Sequence, residues 1–163
     1  MPMSGCNLII IGGEGDIAFR KLYPALCSLE NENLLADDIR IVGFGRGRFD
    51  EDSFAKEVLR WIEASEYTGA ISEEVISRYM SRMQHFNGDA TNPDSFRQLM
   101  AQLPDQETVF YLSTPPSIFP PVCHAIDQAE IVRPETRVVV EKPLGESLAS
   151  FQEIDGLIKS VFA

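Results

Sequence analysis

The sequence is poor in the features that mark several protein classes. No apolar stretch approaches the ~18 residues needed to cross a membrane, and the opening Met1 to Asn7 has no basic flank of the signal-peptide kind. A cytoplasmic chain with no membrane partner is therefore expected. There are only three cysteines, Cys6, Cys27 and Cys123, an odd number widely spaced in apolar surroundings. That pattern predicts buried free thiols, with neither disulfides nor a metal site. Positive charge is scarce: 14 Lys and Arg face 25 Asp and Glu, a net charge of −11. Nucleic acid and anionic membrane surfaces are poor partners for such a chain. No internal repeat, low-complexity tract or second domain is recognisable. What remains, 163 residues with 44% hydrophobic and 24% charged side chains, has the size and make-up of one ordinary globular domain.

The most informative stretch runs from Leu8 to Leu22, LIIIGGEGDIAFRKL. Its four leading apolar residues show no polar alternation, which suits a strand buried on both faces of a parallel sheet. Gly12, Gly13 and Gly15 then permit a tight turn that lets backbone approach a bulky anion, and a helix beginning after it would aim free N–H groups at the same place. A dinucleotide pyrophosphate is the natural occupant. The spacing departs from G-x-G-x-x-G, because Ile17 stands where a third glycine would fall, and a glycine turn joining any buried strand to any helix gives the same pattern.

Further along, Leu22, Leu26 and Leu29 have helical spacing, and Pro24 requires that helix to begin only a residue or two before it. Ile39 to Phe44 reads as a second buried strand and ends in Gly45-Arg46-Gly47-Arg48. Where an NAD-binding fold places an acid for the ribose 2′-OH, these arginines would accommodate a 2′-phosphate, so NADP is expected over NAD. Asp50 to Ser53 supplies caps for a helix through Ile62. A helix from Ser72 is expected to carry Ile76, Tyr79, Met80 and Met83 inward. The polar Gln84 to Asp89 reads as a short third strand, Asn92 opens another helix, and Glu107 to Ser113 is a strand that stops at Thr114-Pro115-Pro116. A short helix through His124, a strand Arg137 to Val140 and a closing helix Ser147 to Phe162 follow. In that last helix Leu148, Phe151, Ile154, Leu157, Ile158 and Val161 are expected to face inward. His85 and His124 read as packed or surface residues.

Buried strands alternating with helices predict an α/β doubly wound, Rossmann-type sheet, mostly parallel, of five or six strands with helices on both faces. In such a sheet ligands collect at the carboxyl ends of the strands. The glycine turn, Arg46, Asp89, Pro115-Pro116 and Lys142 then become neighbours, although far apart in sequence.

Taken together, GGEGDIAFRKLYPAL (residues 12–26), IVGFGR (41–46), FYLSTPP (110–116) and EKPLG (141–145) occur in the order found in glucose-6-phosphate dehydrogenases. From about Leu8 to its last residue the chain resembles the coenzyme-binding domain of that family. Each motif is weak by itself; the four in order are specific. The resemblance implies a domain, residues 1–163, that binds NADP. The full enzyme would oxidise C1 of glucose 6-phosphate to the lactone and open the oxidative pentose phosphate pathway. It would also assemble as a homo-oligomer, mainly through a domain this chain lacks.

On the same resemblance, Gly12, Gly13, Glu14, Gly15, Asp16 and Ile17 belong to the pyrophosphate loop. Arg46 is similar to the 2′-phosphate arginine, and Lys21 to a lysine near the cofactor and substrate channel. Asp89 lines the adenine side, Pro116 belongs to the cofactor motif, and Lys142 contacts both cofactor and sugar substrate, positioned by Pro143. Two positions depart from the pattern. Glu14 stands where the family usually has Ser or Thr, and its carboxylate is expected to repel a phosphate; Phe19 stands where a cation is common.

No catalytic residue is expected in this chain, because the family's catalytic His and Asp lie in an Arg-Ile-Asp-His-Tyr-Leu-Gly type motif that it does not contain. It is thus read as a separately expressed cofactor-binding domain, or a natural fragment, that binds NADP without turning over sugar phosphate. A non-catalytic nucleotide-binding or regulatory paralogue, and the cofactor domain of another sugar oxidoreductase, stand as alternatives.

Overall fold

The computed structural model describes residues 4–66, 69–141 and 144–162. In chain order the elements are β1 (Cys6–Ile11), a π-helical turn (Ala18–Leu22), α1 (Tyr23–Asn31), β2 (Arg40–Gly45), α2 (Glu51–Ala64), α3 (Glu73–Met80) and β3 (Met83–Asn87). Then come α4 (Pro93–Gln102), β4 (Glu107–Leu112), a 3₁₀ turn (Pro116–Ile118), α5 (Phe119–Gln128), β5 (Arg137–Val140) and α6 (Leu148–Phe162). The five strands form one parallel sheet in the order β3-β2-β1-β4-β5. This is the expected doubly wound sheet, with five strands.

Alternating side chains of the strands feed two cores, one on each face. Ile9 and Ile11 of β1 pack with Phe110, Phe96, Phe119 and Ile126 under α4, α5 and α6. Ile10 joins Tyr23, Cys27, Phe54, Val58, Ile62 and Tyr79 under α1, α2 and α3. Cys27 and Cys123 are buried free thiols and Cys6 is half-buried and free. Burial pushes the Cys27 and Cys123 thiols up to about 11. No helix among the described residues is long and apolar enough to cross a membrane.

Three sequence expectations are corrected. The first helix begins at Asp16 and runs on through Pro24. Its π-helical turn, in which the Tyr23 N–H reaches the Ala18 carbonyl, lies just before the proline. A proline has no N–H to give the carbonyl four residues back and collides with it; one wider turn relieves both. Met83 belongs to β3, not to the preceding helix, because that helix stops at Met80 and the Ser81-Arg82 turn leads straight into the sheet edge. In α6, Leu148 (72% exposed) and Phe151 (41% exposed) stay in solvent while Ile154 and Val161 are buried. Helical spacing alone does not bury a residue, and the side chains of α6 that do reach the core are those from Ile154 onward.

Candidate functional site

The order of strands reverses between β1 and β4, and the crevice at their carboxyl ends is where open α/β sheets take ligands. A cleft of about 260 Å³ lies there, lined among others by Gly12, Gly15, Gly45, Arg46, Arg48 and Thr114. Its floor is glycine for steric reasons. Gly12 has φ +80, and a Cβ there would sit 2.5 Å from the Ser113 carbonyl oxygen and 2.8 Å from Thr114 Cγ2. The turn closes with a Gly15 N–H to Gly12 carbonyl bond of 3.0 Å, and the helix starts at once, Phe19 N–H reaching the Gly15 carbonyl. At Gly12 and Gly15 backbone can therefore approach a ligand closely, at a helix N-terminus, with Glu14 of the same turn also lining the cleft.

Gly13 faces the other direction. Its N–H donates to the Phe44 carbonyl at 3.0 Å, and its carbonyl accepts from the Tyr23 hydroxyl at 2.6 Å. A Cβ on Gly13 would meet Gly43 Cα at 2.6 Å, so this glycine lets β1 and β2 close up behind the turn. Burial, with the charge of Glu14 adding to it, pushes the Tyr23 phenol well above its ordinary range, which suits a permanent donor.

At the end of β2, Arg46 and Arg48 are exposed at the cleft. Gly47 between them has φ +90, and the Arg48 guanidinium lies 5.4 Å from the Phe49 ring centroid. The arginines are held from below by Glu14. Its carboxylate is buried, Oε1 accepting from Gly47 N–H at 3.0 Å and Oε2 from Phe49 N–H at 2.7 Å, with His85 Nε2 3.5 Å away. Sequence reasoning put a free carboxylate against the phosphate; the structure commits both oxygens to the loop backbone.

Asp89 is exposed beside the cleft, its Oδ1 accepting from Thr91 N–H at 2.9 Å and Thr91 hydroxyl at 2.7 Å. Those bonds hold its carboxyl below the usual range, helped by the charge of Arg46. Gly88, Ala90 and Thr91 line the cleft next to it. Pro116 opens the 3₁₀ turn whose last residue, Ile118, reaches the cleft. Asp16, Ile17 and Lys21 are exposed on the outer face of the first helix. Asp16 pairs there with Arg20 at 3.3 Å. Lys142 and Pro143 lie outside the described residues. Just before them, the Tyr111 hydroxyl donates to the Glu141 carboxylate. His124 is exposed on α5, and no group of three or more His, Cys, Asp or Glu among the described residues could hold a metal.

Two residues of the site escaped the sequence reading as polar groups. Ser113 Oγ and Thr114 Oγ1 are buried with no hydrogen-bond partner among the described residues, directly past the end of β4. Native buried hydroxyls are seldom left orphaned. Thr114 lines the cleft with Arg46 and Arg48, and Ser113 lies against Gly12, so two such hydroxyls beside the glycine turn fit a phosphorylated dinucleotide. The signal available was positional, since both follow the central strand that neighbours β1.

The same chain is matched over residues 9–163 by the family model described as glucose-6-phosphate dehydrogenase, NAD binding domain. Among curated proteins it is 33% identical to a glucose-6-phosphate 1-dehydrogenase of Mycolicibacterium smegmatis, covering 99% of this chain and 34% of that protein. It is also 33% identical to the enzyme of that name from Dickeya dadantii, covering 96% of this chain and 32% of that protein. A crystal structure of glucose-6-phosphate 1-dehydrogenase from Mycobacterium avium superposes with a TM-score of 0.86 at 27% identity, over 98% of this chain and 34% of that one. The chain thus spans about a third of the length of these relatives. A family model that takes in β2 to β5, the second half of β1 and the whole cleft places the chain in the glucose-6-phosphate dehydrogenase family, as its NAD-binding domain.

Proposed function

We propose that this chain binds NADP as the coenzyme domain, residues 1–163, of a glucose-6-phosphate dehydrogenase. The observation that carries the reading is the pairing, in one cleft, of a turn bearing Gly12 and Gly15 with Arg46 and Arg48 at the end of β2. Gly12 and Gly15 offer backbone to the pyrophosphate, with the Ser113 and Thr114 hydroxyls as further donors. The Arg46 guanidinium forks the 2′-phosphate, and Asp89 with Thr91 borders the adenine side. Asp16, Ile17 and Lys21 support the start of the helix more than they face the cleft. Lys142, which lies outside the described residues, is assigned the contact to cofactor and sugar phosphate from the family motif EKPLG.

NADP, when bound, accepts the hydride from C1 of glucose 6-phosphate. This chain's residues bind and orient it, while the base for the sugar hydroxyl comes from the part of the full-length relatives that lies beyond this domain. The chain alone therefore binds coenzyme without oxidising sugar phosphate. Calorimetric titration with NADP and NAD, on the wild type and Arg46→Ala, tests the reading. Loss of a charge-assisted bond to phosphate costs about 1.5–3 kcal/mol, so NADP should weaken ~10- to 100-fold with NAD unchanged. Equal affinity for NADP with and without Arg46 would overturn it.

A further inference from the structure

Glu14 is the group the proposed function leaves unexplained, a buried carboxylate beside a site for a phosphate. It is 7% exposed, and the described protein already meets its needs with two backbone N–H groups of the loop that carries the arginines. We propose that Glu14 is the positioning residue of the 2′-phosphate loop. It acts as an internal anion that holds Gly47 and Phe49 so that Arg46 and Arg48 stand at the cleft. This rests on the NADP reading of the cleft.

Three observations support it. First, the bonds are charge-assisted and bracket the loop: one oxygen takes Gly47, the residue between the two arginines, and the other takes Phe49, the residue after them. A loop of three residues anchored at both places has little freedom left. Second, the neighbouring backbone is shaped around this side chain. A Cβ on Gly45 would lie 1.8 Å from Glu14 Oε1 and 2.2 Å from its Cγ, so the carboxylate lies flat on the last residue of β2 and glycine is required there. Third, Gly47 keeps a positive φ, the conformation that turns its N–H down to Oε1 while the flanking arginines remain exposed. His85 Nε2, 3.5 Å from Oε2, closes the far side of the carboxylate. A hydroxyl in place of Glu14 could reach the phosphate itself; a carboxylate reaches the loop and leaves the phosphate to arginine.

The competing reading, in which Glu14 merely repels the 2′-phosphate, predicts an effect of opposite sign. Wild type, Glu14→Gln and Glu14→Ala would be titrated with NADP and NAD, and amide exchange at Gly47 and Phe49 followed without cofactor. Positioning predicts slow exchange of both amides in the wild type and fast exchange in Glu14→Ala. NADP should then weaken about tenfold or more in Glu14→Ala. The loss should be smaller in Glu14→Gln, which keeps one acceptor, and NAD affinity should stay within about twofold. Tighter NADP binding by either variant, unchanged exchange, or equal weakening of NADP and NAD would each overturn the proposal. Failure of the wild type to bind NADP would sink the function reading instead, while the exchange rates would still decide the loop.

Discussion

Replacing Tyr23 by Phe tests how the glycine turn is held. The ring is fully buried between Phe19 and Phe54, with centroids 5.6 Å away in both cases, so Phe can occupy the same space without a cavity. Only the hydroxyl goes, and with it the 2.6 Å bond to the Gly13 carbonyl. The Tyr79 hydroxyl donates to the Tyr23 backbone carbonyl and is unaffected. A buried carbonyl left without its donor costs about 1–3 kcal/mol, so about 2 kcal/mol is expected for this buried bond. For a chain of this length that corresponds to a fall of about 4–8 °C in Tm. Urea unfolding should show a lower midpoint with an unchanged slope, because the surface exposed on unfolding is the same. NADP and NAD should weaken together and by a few-fold, since the turn faces the pyrophosphate common to both. A variant within about 0.5 kcal/mol of wild type, or one that weakens NADP alone, would refute the assignment of Tyr23 to the turn.

The buried Glu30 carboxylate pairs with Arg82 at 3.2 Å and with Arg78. Glu30→Ala takes the buried carboxylate from the buried Arg82, which keeps the Ala36 carbonyl and Asp37 at 3.8 Å, and should cost about 3 kcal/mol in urea unfolding. Arg78→Ala removes a side chain 41% exposed and should lower the urea midpoint far less than Glu30→Ala does; equal losses would contradict the division. Stability should also fall in alkali: the thiols of Cys27 and Cys123 ionise near 9 in the unfolded chain but near 11 when folded. The unfolded state thus loses protons first, and each thiol removes about 1.4 kcal/mol per pH unit between pH 9 and 11, with its full contribution present below pH 9. Urea midpoints at pH 8, 9 and 10 for wild type and Cys27→Ala check this, the variant showing the shallower decline; at pH 8 both thiols should be silent to a thiol reagent until the chain unfolds.

Much of the fold was legible because it depends on neighbours in sequence. The unbroken apolar run of β1 can be satisfied only by helices on both faces. The Asp50 and Ser53 side chains cap α2 reciprocally over three residues, as a local signal should. The glycine turn and the arginines after β2 were likewise expected to meet in one cleft, as they do, since a parallel sheet brings its carboxyl ends together whatever the details. What the sequence could not convey was where side chains go when their partners are distant. Leu148 and Phe151 keep helical spacing yet stay exposed, because burial depends on what the rest of the fold packs beneath them. Pro24 read as a helix start, since only the three-dimensional chain shows the wide turn that absorbs it.

Glu14 is the clearest instance. As a letter in a phosphate loop it is an acid facing an anion, and local reasoning assigns it repulsion. In the folded chain the ends of β1 and β2 lie side by side, and Gly45 leaves room for the side chain to cross. The carboxylate spends its charge on two amides more than thirty residues away. Sequence by itself determined that a crevice would form at the carboxyl ends of a parallel sheet; the packing of β1 against β2 decided which side chains stand at it and which hold the loop behind them, because that sorting depends on through-space distances.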